Sequence, residues 1–165
     1  MTDRDKIALI FMGVSGCGKS TIAGGFARAR GGEFLDGDDF HPPANVEKMS
    51  AGIPLDDRDR AGWLAAVRDA IDRSGAGLVC VACSALKKAY RDVLRGARAE
   101  VQFVYLHGTR ELLQQRLDSR RGHFMPPGLL DSQLEALEEP NHATTVDIAA
   151  TPEEIVAQLQ EQFRL

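Results

Sequence analysis

Short apolar runs alternate with amphipathic stretches along the whole chain. The apolar runs predict five buried strands, at residues 7–12, 33–36, 78–83, 101–106 and 145–149. Between them, apolar residues recur on one helix face, for example Trp63, Leu64 and Val67 within a predicted helix over 57–73. Buried strands that alternate with such helices are typical of a parallel sheet covered on both faces. The pattern therefore predicts an α/β fold.

Capping residues predict where several helices begin. A first helix is expected over 19–30. Ser84 is a candidate cap for the helix that follows the third strand, and Thr109 for a helix that runs to about Arg121. Thr151 opens a capping box, with a proline at the next position, and this predicts the start of a final helix.

Two stretches rich in turn-forming residues interrupt the alternation. They cover residues 41–55 and 122–128, and the second contains two successive prolines. In α/β domains, excursions that follow strand ends lie where ligands bind. We therefore expect a region at about 41–73 that covers a bound substrate, and a lid at about 120–137.

Composition narrows the class of protein. The chain of 165 residues has the length of one domain, predicted over 1–165, with 44% hydrophobic and 27% charged residues. A net charge of -4, with dispersed Lys and Arg, does not favour nucleic-acid binding. No stretch approaches the roughly 20 apolar residues of a membrane span. The first apolar run is too short for a signal sequence. We expect a cytoplasmic protein that binds neither nucleic acid nor membrane.

The three cysteines are too few for a disulfide framework. Cys80 and Cys83 have the spacing of a redox or zinc pair, but they lie in a predicted strand. Residues three apart on a strand point to opposite faces, so the two thiols do not converge on one metal. We interpret both as structural.

A phosphate-binding motif follows the first strand. Residues 13–20 read GVSGCGKS and match G-x-x-x-x-G-K-[ST] between a predicted strand and a predicted helix. Lys19 is expected to bridge the β- and γ-phosphates of ATP, and Ser20 to ligate Mg²⁺. Backbone N–H groups at the start of the helix complete the cradle. The predicted ATP-binding residues here are Gly13, Val14, Ser15, Gly16, Cys17, Gly18, Lys19, Ser20 and Thr21. The motif predicts a P-loop NTPase fold, and we expect its five-stranded parallel sheet to have the order 2-3-1-4-5.

Carboxylates cluster at the end of the second strand, in the run LDGDDFH. Asp36 and Asp38 share a face if the strand continues, and Asp39 then points away. Carboxylates beside a phosphate cradle can organise Mg²⁺ or accept the proton of an attacking hydroxyl. A solvated acidic turn that caps the next helix is the alternative.

Four blocks together resemble the gluconokinase family, within the shikimate-kinase-like group of small P-loop kinases. They are GVSGCGKS, FLDGDDFHPPANVEKMSAGIPLDDRDRAGWL, CSALKKAYRDVLR and RRGHFMPPGLLDSQLEALEEP. The blocks lie within residues 13–140, a span of about three quarters of the chain, and together they make up a little under half of its residues. The second and third are more specific than the phosphate loop. The resemblance implies an ATP- and Mg²⁺-dependent kinase that phosphorylates gluconate, and it admits a homodimer.

The resemblance also implies roles for single residues. Asp38 is then the base or orienter of the acceptor hydroxyl, and Asp36 helps to hold Mg²⁺. Arg60 and Lys87 are candidate partners of the acceptor carboxylate. Each has a plainer interpretation: Arg60 as an ion pair with Asp56 or Asp57, and Lys87 as a solvated residue of a first helical turn. Two histidines, His41 and His123, are candidates for binding acceptor hydroxyls, and His41 is alternatively the cap of a proline turn.

Three arginines lead into the predicted lid, at positions 116, 120 and 121. Arg116 and Arg120 share a helix face and are expected to contact the nucleotide, with Arg120 acting on the transferred phosphate. The alternative is a basic helix end favoured by the helix dipole. The rival activities are a shikimate or nucleoside-monophosphate kinase and, outside enzymes, a module that binds ATP without turnover.

Overall fold

The computed structural model describes residues 5–119 and 128–163. In chain order its elements are β1 (Ile7–Met12), α1 (Lys19–Arg30), β2 (Glu33–Asp36), a 3₁₀ turn (Gly37–Phe40), α2 (Pro43–Ser50), α3 (Asp57–Arg73), β3 (Leu78–Ala82), α4 (Lys88–Arg95), β4 (Glu100–His107), α5 (Arg110–Asp118), α6 (Leu129–Ala136), β5 (Thr144–Asp147) and α7 (Pro152–Gln162).

The five strands form one parallel sheet in the order β2-β3-β1-β4-β5. This confirms the predicted fold class and strand order. The central strand β1 pairs with β3 on one side and β4 on the other, and its residues from Ala8 to Met12 are fully buried. The loop that leaves β1 therefore opens at the carboxyl edge of the sheet, where α/β folds bind ligands.

Two apolar clusters cover the two faces of the sheet, because successive residues of a strand point in opposite directions. One cluster packs Leu9 and Phe11 against α1, α5 and α7, and the other packs Ile10 against α3 and α4. Cys80 belongs to the first cluster and Cys83 to the second. The predicted separation of these thiols is confirmed. Burial raises the pKa of each to about 12.

Several predicted boundaries shift. Helix α4 begins at Lys88, so the predicted Ser84 cap is wrong. The cause is Ala85, whose φ of 44° lies in the left-handed region and interrupts the backbone after β3. Helix α5 ends at Asp118, earlier than the predicted Arg121. The cap predicted at Thr109 is confirmed, because its side chain accepts from the backbone N–H of Leu112 at 3.2 Å.

Two short helices lie where the sequence pattern predicted none. Helix α2 falls inside the 41–55 excursion, and Pro43 occupies its first turn, where a missing N–H costs nothing. Helix α6 falls inside the predicted lid region and follows Gly128, which has a φ of 85°. Within residues 5–119 and 128–163, no helix has the length and apolarity to cross a membrane.

Candidate active site

The loop between β1 and α1 depends on glycine at two crowded positions. Gly13 has a φ of 148°, and a Cβ there would lie 2.8 Å from the Cys17 Sγ and 2.9 Å from the Leu106 carbonyl oxygen. Gly16 has a φ of 90°, and a Cβ there would lie 3.0 Å from Leu117. Side chains at these positions would force the loop away from β4 and α5.

The loop presents free donors at the start of α1. The backbone N–H groups of Gly16, Gly18, Lys19 and Ser20 hydrogen-bond no acceptor in the described part of the chain. Such N–H groups and the helix dipole together favour an anion. The Lys19 ammonium lies over the same loop and donates to the carbonyls of Gly13 at 3.0 Å and Val14 at 3.2 Å. The arrangement fits a polyphosphate.

Ser20 and Asp36 lie side by side. The Ser20 hydroxyl donates to one Asp36 oxygen at 3.3 Å, and the other Asp36 oxygen accepts from the Asp38 backbone N–H at 3.0 Å. A hydroxyl and a carboxylate beside a phosphate cradle are the oxygen donors that Mg²⁺ uses in kinases, with water and phosphate completing its shell. The residues predicted as metal ligands are therefore brought together.

The acidic turn differs from the predicted geometry. Strand β2 ends at Asp36, and the next four residues form a 3₁₀ turn that Asp36 caps. The expectation that Asp36 and Asp38 share a strand face is therefore wrong, because the chain leaves the sheet between them. Asp36 does cap a turn, as the alternative interpretation held, and it also reaches Ser20. Asp38 and Asp39 are both exposed.

Helix α3 supports this turn from behind. The Trp63 indole N–H donates to the Gly37 carbonyl at 2.7 Å, and its ring stacks on His41 with centroids 4.3 Å apart. The buried Asn45 amide lies 3.3 Å from the His41 Nδ1. Burial lowers the pKa of His41, with Asp38 opposing the shift and Arg60 adding to it. His41 is thus a neutral imidazole near pH 7, suited to hydrogen-bonding a hydroxyl.

The two predicted acceptor-side cations meet at Tyr90. Arg60 donates to the Tyr90 hydroxyl at 3.3 Å, and that hydroxyl donates to Asp57 at 2.6 Å. The Lys87 ammonium lies 3.5 Å from Asp57 and over the Tyr90 ring. The hydrogen bond from Tyr90, aided by Lys87, holds the pKa of Asp57 below its usual range. Asp56 instead caps α3 by accepting from the Asp59 N–H at 2.8 Å.

A buried arginine holds the backbone that carries Lys87. Arg91 is 3% exposed and donates to the carbonyls of Ala85 at 2.8 Å, Leu86 at 3.2 Å and Glu138 at 2.8 Å. The Glu138 side chain accepts from the Lys88 N–H at 2.7 Å and so satisfies one of the unpaired N–H groups at the N-terminus of α4. These contacts explain how a left-handed Ala85 is tolerated.

The predicted lid residues are only partly described. Arg116 lies on α5 and donates to the Ile148 carbonyl just beyond β5. Arg120 and His123 lie outside the described residues, as does Arg121.

Several residues of this site were missed by the sequence reasoning: Asn45, Trp63, Tyr90, Arg91 and Glu138. Trp63 was assigned to an apolar helix face by its spacing, and Tyr90 was not singled out. Their ring N–H and O–H groups were the available signal, since such groups need partners when buried. Arg91 and Glu138 carried no local signal, because they bond backbone groups, which no side-chain pattern marks.

Comparison with known proteins relates the chain to sugar-acid kinases. The model of a family described as "AAA domain" matches residues 9–140. A gluconokinase from Gluconobacter oxydans is 51% identical over 80% of this chain and 75% of its own length. The thermoresistant gluconokinase of Escherichia coli is 42% identical over 99% of this chain and 97% of its own. The crystal structure of a gluconokinase from Sinorhizobium meliloti is 44% identical, with a TM-score of 0.83 over 96% of both chains. The chain belongs to the gluconokinase family.

Proposed function

We propose that this protein is a gluconokinase, which transfers the γ-phosphate of ATP to D-gluconate to give 6-phospho-D-gluconate and ADP. The observation that carries the proposal is the hydrogen bond between Ser20 and Asp36. It joins the phosphate loop to the acidic turn that carries Asp38, whose backbone N–H donates to the same Asp36 side chain. Family membership supports gluconate as the acceptor.

In this proposal the loop residues hold ATP. The free N–H groups from Gly16 to Ser20 donate to phosphate oxygens. The Lys19 ammonium leaves the carbonyls of Gly13 and Val14 and binds the β- and γ-phosphates instead. Ser20 and Asp36 would hold Mg²⁺, which neutralises phosphate charge when bound. Most of the rate acceleration then comes from positioning and electrostatics.

Asp38 accepts the proton of the attacking hydroxyl. As the oxygen of the terminal gluconate hydroxyl bonds to the γ-phosphorus, the bond from that phosphorus to the bridging oxygen of ADP breaks. The proton moves to the Asp38 carboxylate, which is exposed at the carboxyl edge of the sheet. The neutral His41 is suited to orienting another acceptor hydroxyl, and Arg60 and Lys87 to binding the acceptor carboxylate.

The remaining expectations complete the proposal. Arg116, on α5, and Arg120, in the lid expected at about 120–137, contact the nucleotide, and His123 contacts the acceptor. The chain works as one kinase domain, with 41–73 covering the acceptor. Three buried free thiols fit a cytoplasmic location. A homodimer is the assembly that the family resemblance admits, and sedimentation measures it.

The test is a panel of acceptors. ADP release from MgATP is measured with gluconate, shikimate and AMP, and we expect turnover with gluconate alone. Full activity with shikimate or AMP and none with gluconate would contradict the proposal.

A matched pair of variants tests the role of Asp38 and the rival ATP-binding module. Asp38→Asn should lower kcat about 10²- to 10⁴-fold, as expected for loss of a general base. Asp39→Asn, an equal change at the exposed neighbour, should alter kcat less than about threefold. If Asp38→Asn left every rate unchanged, the module that binds ATP without turnover would be favoured.

A further inference from the structure

A glutamine from α6 contacts the phosphate loop through both ends of its amide. The Ser15 backbone N–H donates to the Gln133 Oε1 at 2.6 Å, and the Gln133 Nε2 donates to the Ser15 Oγ at 3.0 Å. The two residues are 118 positions apart in the chain. A backbone N–H can only donate, so the atom facing it must be the amide oxygen. The amide orientation follows, and the NH₂ group faces the serine hydroxyl.

Helix α6 is itself held in place, so it can fix what it touches. Arg110 of α5 forms a two-point ion pair with Asp131, at 2.6 and 3.0 Å. Leu130 is 4% exposed and belongs to the same apolar cluster as Leu113 and Leu117 of α5. At the far end of the helix, the Glu138 N–H donates to the Leu86 carbonyl at 2.8 Å.

The contact anchors the loop at Ser15, and most of the unpaired backbone N–H groups of the loop follow that position. The Gly13 N–H donates to the Ser84 carbonyl at 3.3 Å, and the Ser15 N–H donates to Gln133. The N–H groups that donate to no acceptor within the described residues are those of Val14, Gly16, Gly18, Lys19, Ser20 and Thr21, while the Cys17 N–H donates to the Val14 carbonyl. Gln133 thus anchors the loop immediately before the donors that bind the nucleotide.

We propose that Gln133 is a positioning residue of the nucleotide site, through which α6 sets the conformation of the phosphate loop. The inference rests on the proposed use of this loop to bind ATP. A loop with three glycines in six residues has many conformations to lose on binding. Two hydrogen bonds from a fixed helix restrict those conformations beforehand, which strengthens binding of the phosphates.

The test is the affinity for MgATP, titrated calorimetrically in the absence of any acceptor. Gln133→Met keeps the length of the side chain and removes both hydrogen bonds. One net hydrogen bond corresponds to roughly a two- to tenfold change in an equilibrium, so we expect the Kd for MgATP to rise about tenfold. Ser15→Ala keeps the backbone N–H and should raise it about threefold. The double variant should raise the Kd by less than the product of the two single effects, because both substitutions affect the same contact.

The control is Glu135→Gln, an exposed position on the same helix, which should leave the Kd unchanged within about twofold. In turnover assays, Gln133→Met should raise the KM for ATP while the KM for gluconate changes less than about twofold. An unchanged Kd for MgATP in Gln133→Met would overturn this inference and leave the proposed function standing. An equal rise in both KM values with a lowered Tm would also overturn it, since that is the effect of general destabilisation. A wild-type protein that did not bind MgATP would overturn the proposed function as well.

Discussion

Gly37, between Asp36 and Asp38, gives a sharp test of how the acidic turn is placed. A Cβ at this position would lie 2.5 Å from the Ala82 carbonyl oxygen at the end of β3. The turn must move by roughly 0.9 Å to reach the 3.4 Å of ordinary contact. Overpacking of this kind costs about 1–3 kcal/mol, so Gly37→Ala should lower the free energy of unfolding by about 2 kcal/mol. For a domain of this size the Tm should fall by about 4–8 °C.

The same displacement should reduce catalysis, because it moves the Asp38 carboxylate relative to the phosphate loop. A misplacement near 1 Å can cost about 10²-fold, and we expect a loss of that size in kcat. Thermal unfolding and ADP release with gluconate measure the two effects.

Gly62→Ala is the matched control, since a Cβ there meets nothing within 4 Å and the residue lies inside α3. It should stabilise by about 0.5–1 kcal/mol, because alanine loses less backbone entropy than glycine, and leave turnover unchanged. A Gly37→Ala protein with the wild-type Tm and kcat would refute the reasoning.

Three further outcomes are expected. Lys19→Ala should abolish measurable turnover and weaken MgATP binding while the circular dichroism spectrum stays native; retained turnover would contradict the cradle assignment. Lys87→Met should raise the KM for gluconate about tenfold, the effect of losing one hydrogen bond to a charged group. Lys88→Met, its exposed neighbour, should change that KM less than twofold. Burial lowers the pKa of His41 in the folded protein. As the pH falls below the unperturbed value of 6.5, the unfolded chain therefore binds a proton at His41 more readily than the folded protein does, and stability decreases. Wild-type stability, measured by urea unfolding, should therefore drop more between pH 7.5 and about pH 5.5 than that of His41→Gln, and equal drops would refute the assignment.

Local patterns were enough to predict most of the scaffold. The strand at Ile7–Met12 and the helices at Lys19–Arg30 and Asp57–Arg73 have the predicted bounds. They are long, strongly periodic or flanked by unambiguous motifs. The phosphate loop was predicted for the same reason, since its pattern requires only a strand, a glycine turn and a helix in immediate succession.

Errors fell where a local rule met a distant partner. Ser84 has the chemistry of a cap, but Ala85 adopts a left-handed conformation held by Arg91, which also donates to the distant Glu138 carbonyl. The expectation that Asp36 and Asp38 share a strand face was wrong for a related reason. Gly37 sits against β3 and Trp63 binds its carbonyl, so the chain turns out of the sheet at that point.

The sequence by itself determined the alternation of strands and helices, the phosphate loop and the identity of the charged residues around it, because each follows from periodicity or from a contiguous motif. Only the tertiary structure decided which of those charges meet. Ser20 reaches Asp36, Arg60 and Lys87 meet at Tyr90, and Gln133 holds Ser15. The contacts of Ser20, Arg60 and Gln133 join residues 16 to 118 positions apart, and their geometry depends on how helices pack on the sheet. Packing of that kind is a property of the whole fold that no local pattern contains.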